Sequence, residues 1–296
     1  MKYIAICVFF FLVSFTAFSQ NETSITKEIL NYIDSRMPET LTDLEKIVNI
    51  NSGTRNIKGV REVGAFFETE LKKLGFTVEW INLPDSIKHA GHLYAYRKGK
   101  KGKKILLLGH LDTVFEPDQP ANPFKIIGDT AATGQGVVDM KSGDMIILSS
   151  LRSLNNFHLL DSASIGVYLT GDEEVGAHPA EITRADMIEK AKTYDVALSF
   201  ESGKLNYAVT SRRGSCTWKI NVTGIQAHSS SVFSEKNGFG AIYESARILD
   251  TVRRVFSKAK NITISPGTIA GGTEVTENDE NLEVFGKNNV IASHAS

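Results

Sequence analysis

Residues 105–109 read Ile-Leu-Leu-Leu-Gly, an apolar run with no polar break. A strand of that kind needs cover on both faces, so it belongs inside a sheet with helices on either side. The surrounding chain supplies the matching pieces. Ile29, Leu30 and Ile33, then Val63, Phe66, Phe67, Leu71 and Leu74, recur at helical spacing, which predicts helices over 25–47 and 59–74. Gly75 is placed to end the second. Strands are expected over 77–83, 93–97, 104–108, 165–169 and 196–200, with helices over 141–155 and 180–192. That alternation predicts an α/β fold, a mainly parallel sheet flanked by helices.

The pattern changes from Tyr207 onward. Residues 217–222 alternate like a half-exposed strand, and 237–256 carries Ile242, Ala246, Leu249 and Val252 on one helical stripe. Residues 262–265 and 289–292 look like further strands. The expected organisation is a main domain over 20–206 and a smaller α+β domain over 207–296.

The first residues read differently again. Lys2 precedes an apolar run from Ile4 to Phe18, and Ala17 and Ser19 suit cleavage after Ser19. At about 15 residues the run is short of the roughly 20 needed to span a bilayer. A signal peptide over 1–19 is therefore expected, giving an exported protein, periplasmic or secreted, with no membrane attachment after cleavage. No cysteine stands at the cleavage point to accept a lipid. Removal of Cys7 with the leader leaves Cys216, whose strand-like surroundings predict a buried structural thiol. The whole chain carries 33 Lys+Arg against 34 Asp+Glu, a formal charge of -1 that gives no general attraction to nucleic acid.

Four clusters stand where predicted strands end, the position at which open α/β sheets bind ligands. Gly109-His110-Leu111-Asp112 follows the apolar strand. His110 can ligate a metal there, with Asp112 fixing its tautomer; a satisfied polar turn is the plainer reading. Gly134-Gln135-Gly136 leads to Asp139, which reads either as a ligand or as an ordinary helix N-cap. Asp172-Glu173-Glu174 ends the 165–169 strand; adjacent acids can divide metal binding from proton transfer, or form a solvated turn. Glu201 follows the 196–200 strand. Together these are nitrogen and oxygen donors without sulfur, which suits zinc or another borderline divalent metal.

In order, GHLDTVF, GQGVVDMKSGDM, TGDEEVGA and ALSFESG resemble the dizinc metallopeptidase and aminoacylase family, which includes glutamate carboxypeptidase and succinyl-diaminopimelate desuccinylase. The resemblance implies metal ligation by His110, Asp139 (bridging two metals), Glu174 and Glu201, with Glu173 as general base and Asp112 orienting His110. It also implies a cis peptide after Asp139. The cofactor would be zinc, two per chain in the intact family, with cobalt or manganese as alternatives. The reaction implied is water-mediated hydrolysis of the amide bond in a small peptide or N-acyl amino acid.

In the smaller domain, Gly224-Ile225-Gln226-Ala227-His228-Ser229 is similar to a family segment whose histidine steadies the reaction intermediate across a homodimer. By itself His228 reads equally as a surface loop histidine. Asn289 resembles a residue that meets a substrate carboxylate. Family members also return to the main domain after the smaller one and bring a further zinc-binding histidine. His294 does not fit that place, so the chain is expected to be truncated, with an incomplete dimerisation domain. A catalytically inactive fragment that binds metal weakly, or a binding module, is the alternative expectation.

Overall fold

The computed structural model describes residues 2–203, 207–277, 282–286 and 289–296, with the side chains of 2–23, 277, 282 and 285 outside the described part. The expected signal peptide falls in that first stretch, and residues 204–206, beside the expected domain boundary, are also outside the description. Two compact units are present, Met1–Tyr207 and Ala208–Ser296.

The first unit opens with helix α1 (Lys2–Val48) and helix α2 (Ile57–Lys73). Gly75, at φ +77°, ends α2 as anticipated, and the Phe76 N–H reaches back to the Leu71 carbonyl at 3.1 Å. Strands β1 (Thr77–Ile81), β2 (His92–Arg97) and β3 (Lys101–His110) follow, then a small hairpin of β4 (Lys125–Ile127) and β5 (Ala131–Thr133). Helix α3 (Ser142–Asn156) leads to β6 (Ala163–Thr170), α4 (Ala180–Thr183), α5 (Ala185–Ala191) and β7 (Val196–Ser199).

The sheet order is β1-β2-β6-β3-β7. The pairs β6–β3 and β3–β7 are parallel, while β2 runs antiparallel to both of its neighbours. Four of the five strands therefore share one direction, with β2 reversed. The apolar strand has the two-sided cover its sequence demands. Leu107 packs with Ile147, Leu148 and Leu151 of α3 on one face. Leu106 packs with Tyr94 and Tyr168 on the other, backed by Met187 and Ala191 of α5. Each fully buried leucine of this kind contributes about 1.5–3 kcal/mol. Parallel register also aligns the strand ends: His110 pairs with Thr170, and Leu108 with Ser199. The loops after β3, β6 and β7 consequently leave the sheet side by side.

The expected helix over 180–192 is divided at Arg184, whose φ of -104° and ψ of -6° leave the helical run. Arg184, at the interruption, is turned toward Asp172.

The second unit contains β8 (Val222–Thr223), α6 (Ala241–Phe256), β9 (Gly271–Gly272), β10 (Glu274–Glu277), β11 (Leu282–Phe285) and β12 (His294–Ala295). Strands β8, β12 and β9 form one small sheet, and β10 with β11 forms an antiparallel pair. Helix α6 is anchored at its start, where the Ala241 N–H donates to the Ala292 carbonyl at 2.9 Å. It begins four residues later than its sequence stripe suggests, after a short turn at Glu235–Asn237 and Gly238 at φ +62°.

Several sequence expectations do not hold here. Residues 217–222 form a strand only at Val222, 262–265 form none, and 289–292 contribute a single bridge between His228 and Val290. Alternating side chains make a strand only when another strand supplies the ladder, and in these runs only Val222, opposite Ala295, and Val290, opposite His228, meet a partner among the described residues. Trp218, Ile262 and Ile264 are accordingly exposed. Cys216 is exposed rather than buried, with the Trp218 indole N–H at 3.1 Å from its sulfur. Among the described residues, no helix is long and apolar enough to cross a membrane.

Candidate metal centre

His110 closes β3 and is buried. Its Nε2 faces a group of acids: Asp139 Oδ1 at 2.9 Å, Glu201 Oε1 at 3.6 Å and Glu173 Oε2 at 3.9 Å. One donor atom each from His110, Asp139 and Glu201 lie within 4.8 Å of one another, close enough to hold one ion. These residues come from three separate segments: the aligned ends of β3 and β7 bring His110 and Glu201 together, and the turn before α3 adds Asp139. Glu173 is half exposed, and Glu174 sits one residue further along the same loop.

Asp139 is presented by an irregular turn. Gly136 adopts φ +70°, a conformation open to glycine, and starts the turn Val137–Lys141. Within it Asp139 and Met140 leave helical angles, and the Asp139–Met140 peptide is cis, as the resemblance implies. Asp139 therefore precedes α3 instead of capping it. Lys141 anchors the turn from beneath: its buried Nζ donates to the Ile47 carbonyl at 3.0 Å and the Ile50 carbonyl at 2.9 Å, near the end of α1. Burial draws the Lys141 ammonium down to about 7.

Asp112 is the hub of the centre. His110 Nδ1 lies 3.0 Å from the Asp112 backbone carbonyl and 3.5 Å from its Oδ1. The carboxylate accepts the Glu173 N–H at 3.0 Å, the Glu174 N–H at 3.1 Å and the Thr54 hydroxyl at 2.7 Å. The Asp112 backbone carbonyl thus meets the imidazole, while its carboxylate fixes the backbone of both neighbouring acids. Burial raises the Asp112 carboxyl, and its contacts with His110 and Thr54 outweigh that and hold it below the usual carboxylate range.

We expect Asp112→Ala to weaken zinc binding by about 10–100-fold, the usual effect of removing a partner behind a ligand. It would also lower stability by about 3–5 kcal/mol, since it leaves buried donors unpaired. Zinc titration and urea unfolding of the same variant measure both effects.

Crowded carboxylates show in the proton equilibria. Burial lowers the His110 imidazole, yet the Asp112, Asp144 and Asp139 carboxyls push it up to about 10. Burial, with Asp139 and Glu173 close by, raises Glu174 to about 7. Glu201 is raised by burial and by the same two acids. The centre gathers protons where a divalent cation would instead balance the charge. Its donor set of imidazole and carboxylate oxygens fits zinc.

Sequence reasoning missed three participants. Thr54 lies in the loop after α1 and bonds Asp112 from 58 positions away in the chain. Asp144, on α3, is buried with neither carboxylate oxygen hydrogen-bonded, and burial raises its carboxyl well above the ordinary value. Arg184 grips the acidic loop from the break between α4 and α5. The motif DMKSGDM contains Asp144, but its direction depends on helix packing that spacing alone does not disclose. Of the predicted residues, His110, Asp112, Asp139, Glu173, Glu174 and Glu201 come together in the first unit. His228 and Asn289 lie in the second and are exposed; they adjoin one another, the Ser229 N–H donating to the Asn289 carbonyl at 2.9 Å.

The chain matches the sequence profile of Peptidase family M20/M25/M40 over residues 106–295, and it belongs to that family. It is 32% identical to carboxypeptidase G2 of Pseudomonas sp. (strain RS-16) over 259 residues, covering 83% of this chain and 58% of that protein. It is 30% identical to a succinyl-diaminopimelate desuccinylase of Cupriavidus taiwanensis over 207 residues, covering 65% of this chain and 52% of that one. The chain thus spans little more than half the length of these relatives. Its fold resembles that of a tripeptidase from Staphylococcus aureus (TM-score 0.56, 17% identity, 86% of this chain and 63% of that one). It likewise resembles aminopeptidase PepT from Bacillus cereus (TM-score 0.57, 18% identity, 86% and 64%).

Proposed function

We propose that the protein is an exported zinc-dependent hydrolase of peptide or N-acyl amino acid amide bonds, most like a glutamate carboxypeptidase. The observation that carries this reading is the meeting of His110, Asp139 and Glu201 donor atoms within 4.8 Å, with Glu173 beside them. His110, Asp139, Glu174 and Glu201 would hold the metal, which when bound supplies Lewis acidity toward water and the scissile carbonyl. Glu173 takes a proton from the attacking water and returns it to the leaving amine. Its exposed side chain suits that exchange, while its backbone N–H is tied to Asp112.

Within the same proposal, the second unit serves homodimerisation, His228 steadies the tetrahedral intermediate and Asn289 meets a substrate carboxylate. Sequence similarity to carboxypeptidase G2 supports a substrate with a free α-carboxylate. The test is hydrolysis of N-acyl glutamate and small peptides by zinc-loaded chain, followed by chelation. We expect turnover that chelator abolishes and zinc restores. Metal binding without turnover would overturn the catalytic reading in favour of a binding module.

A further inference from the structure

The loop that carries Glu173 is held from outside the metal centre. Asp172, immediately before Glu173, is fully buried. Arg184 donates from Nη1 to Asp172 Oδ1 at 2.5 Å and from Nη2 to the Asp172 carbonyl at 3.1 Å. The other carboxylate oxygen accepts the Ala177 N–H at 3.2 Å, which draws the far end of the loop inward. Buried His92 on β2 completes the arrangement. Its Nδ1 lies 3.3 Å from the Gly171 N–H and its Nε2 lies 3.0 Å from the Thr183 carbonyl. For both contacts to be hydrogen bonds, the ring must be neutral and protonated at Nε2. Burial, which holds His92 below its ordinary value, agrees with that state.

Three side chains from β2, the acidic loop and the break in the 180–192 segment thus fasten both ends of Gly171–Ala177. Arg184 also borders the cleft of about 160 Å³ that contains His110, Glu173 and Glu201. Its two-pronged grip on Asp172 occupies the guanidinium, so holding the loop suits it better than receiving substrate.

We propose that Arg184, acting through Asp172 and with His92, is a positioning residue that sets Glu173 against the metal centre. The proposal rests on the reading of Glu173 as general base, and its test separates the two. Residue-resolved amide exchange of the full chain compares wild type with Arg184→Met and His92→Gln. Exchange at Gly171, Glu173, Glu174 and Ala177 should quicken at least tenfold in Arg184→Met, while Leu106–Leu108 of β3 stay protected. In the zinc-loaded protein, kcat should fall about 10–100-fold with KM within threefold, as misplacement of a reacting group by about 1 Å produces. Arg184→Lys, which keeps the charge but loses one prong, should fall between the two.

Unchanged exchange at Glu173 and Glu174 in Arg184→Met would overturn the proposal. So would a fall in kcat matched by equal loss of protection in β3, which would mark a general loss of structure. A wild type without turnover defeats the catalytic reading, while the exchange comparison still decides whether Arg184 holds the loop.

Discussion

Glu173→Gln is expected to lower kcat by about 10²–10⁴-fold, the range for removing a general base, while zinc affinity stays within a fewfold of wild type. The separation follows from the geometry. Glu173 Oε2 stands 3.9 Å from His110 Nε2, outside the closer group of His110, Asp139 and Glu201. Its structural contribution is made by the backbone N–H, which donates to Asp112 Oδ1 and survives the substitution. Glutamine has the size of glutamate but no affinity for a proton at neutral pH, so it preserves the loop and removes the acceptor. With the side chain half exposed, unfolding free energy should move by no more than about 0.5 kcal/mol. Steady-state kinetics at saturating zinc, with a urea melt of the same preparation, check both halves. Loss of zinc binding in this variant would make Glu173 a ligand instead of a base.

The residues proposed as metal ligands carry the second large effect. Asp139 Oδ1 is the oxygen nearest His110 Nε2, at 2.9 Å. It is held there by a turn fixed through Gly136 and Lys141. Asp139→Ala removes a donor while leaving the Lys141 anchor at the end of α1, so the turn should persist. Zinc affinity should fall by about 100-fold or more, beyond the 10–100-fold typical of partners behind the ligands. Hydrolysis should disappear with it. Asp139 is exposed, so thermal stability of the metal-free protein should change little.

The pattern of success in reading the sequence has a physical origin. The Ile-Leu-Leu-Leu run identifies a doubly covered strand because few other environments tolerate it. Once β3 is placed, the residues just beyond β3, β6 and β7 become neighbours through the parallel register, which is why His110, Glu173 and Glu201 were legible as a group. Asp139 was legible as a donor, though its setting in an irregular turn before α3 was not.

What escaped depends on packing between distant segments. Thr54, Arg184 and His92 look unremarkable in order, and acquire their roles only when the loop after α1, β2 and the 180–192 segment meet around the Asp112 and Asp172 carboxylates. The smaller unit is less legible in its sequence. Short alternating runs at 217–222 and 262–265 suit strands by composition, but among the described residues only Val222 of these meets a partner strand. Cys216, placed by the same reasoning in a buried strand, is consequently exposed.

His110, Asp139 and the neighbouring acids are proposed to form a metal centre. Calorimetric zinc titration of the metal-stripped full chain, run beside Asp139→Ala, tests it most directly. Saturable zinc binding is expected for the wild-type chain, with an affinity at least about 100-fold weaker in the variant. Equal affinity in the two proteins, or no saturable binding by wild type, would contradict it.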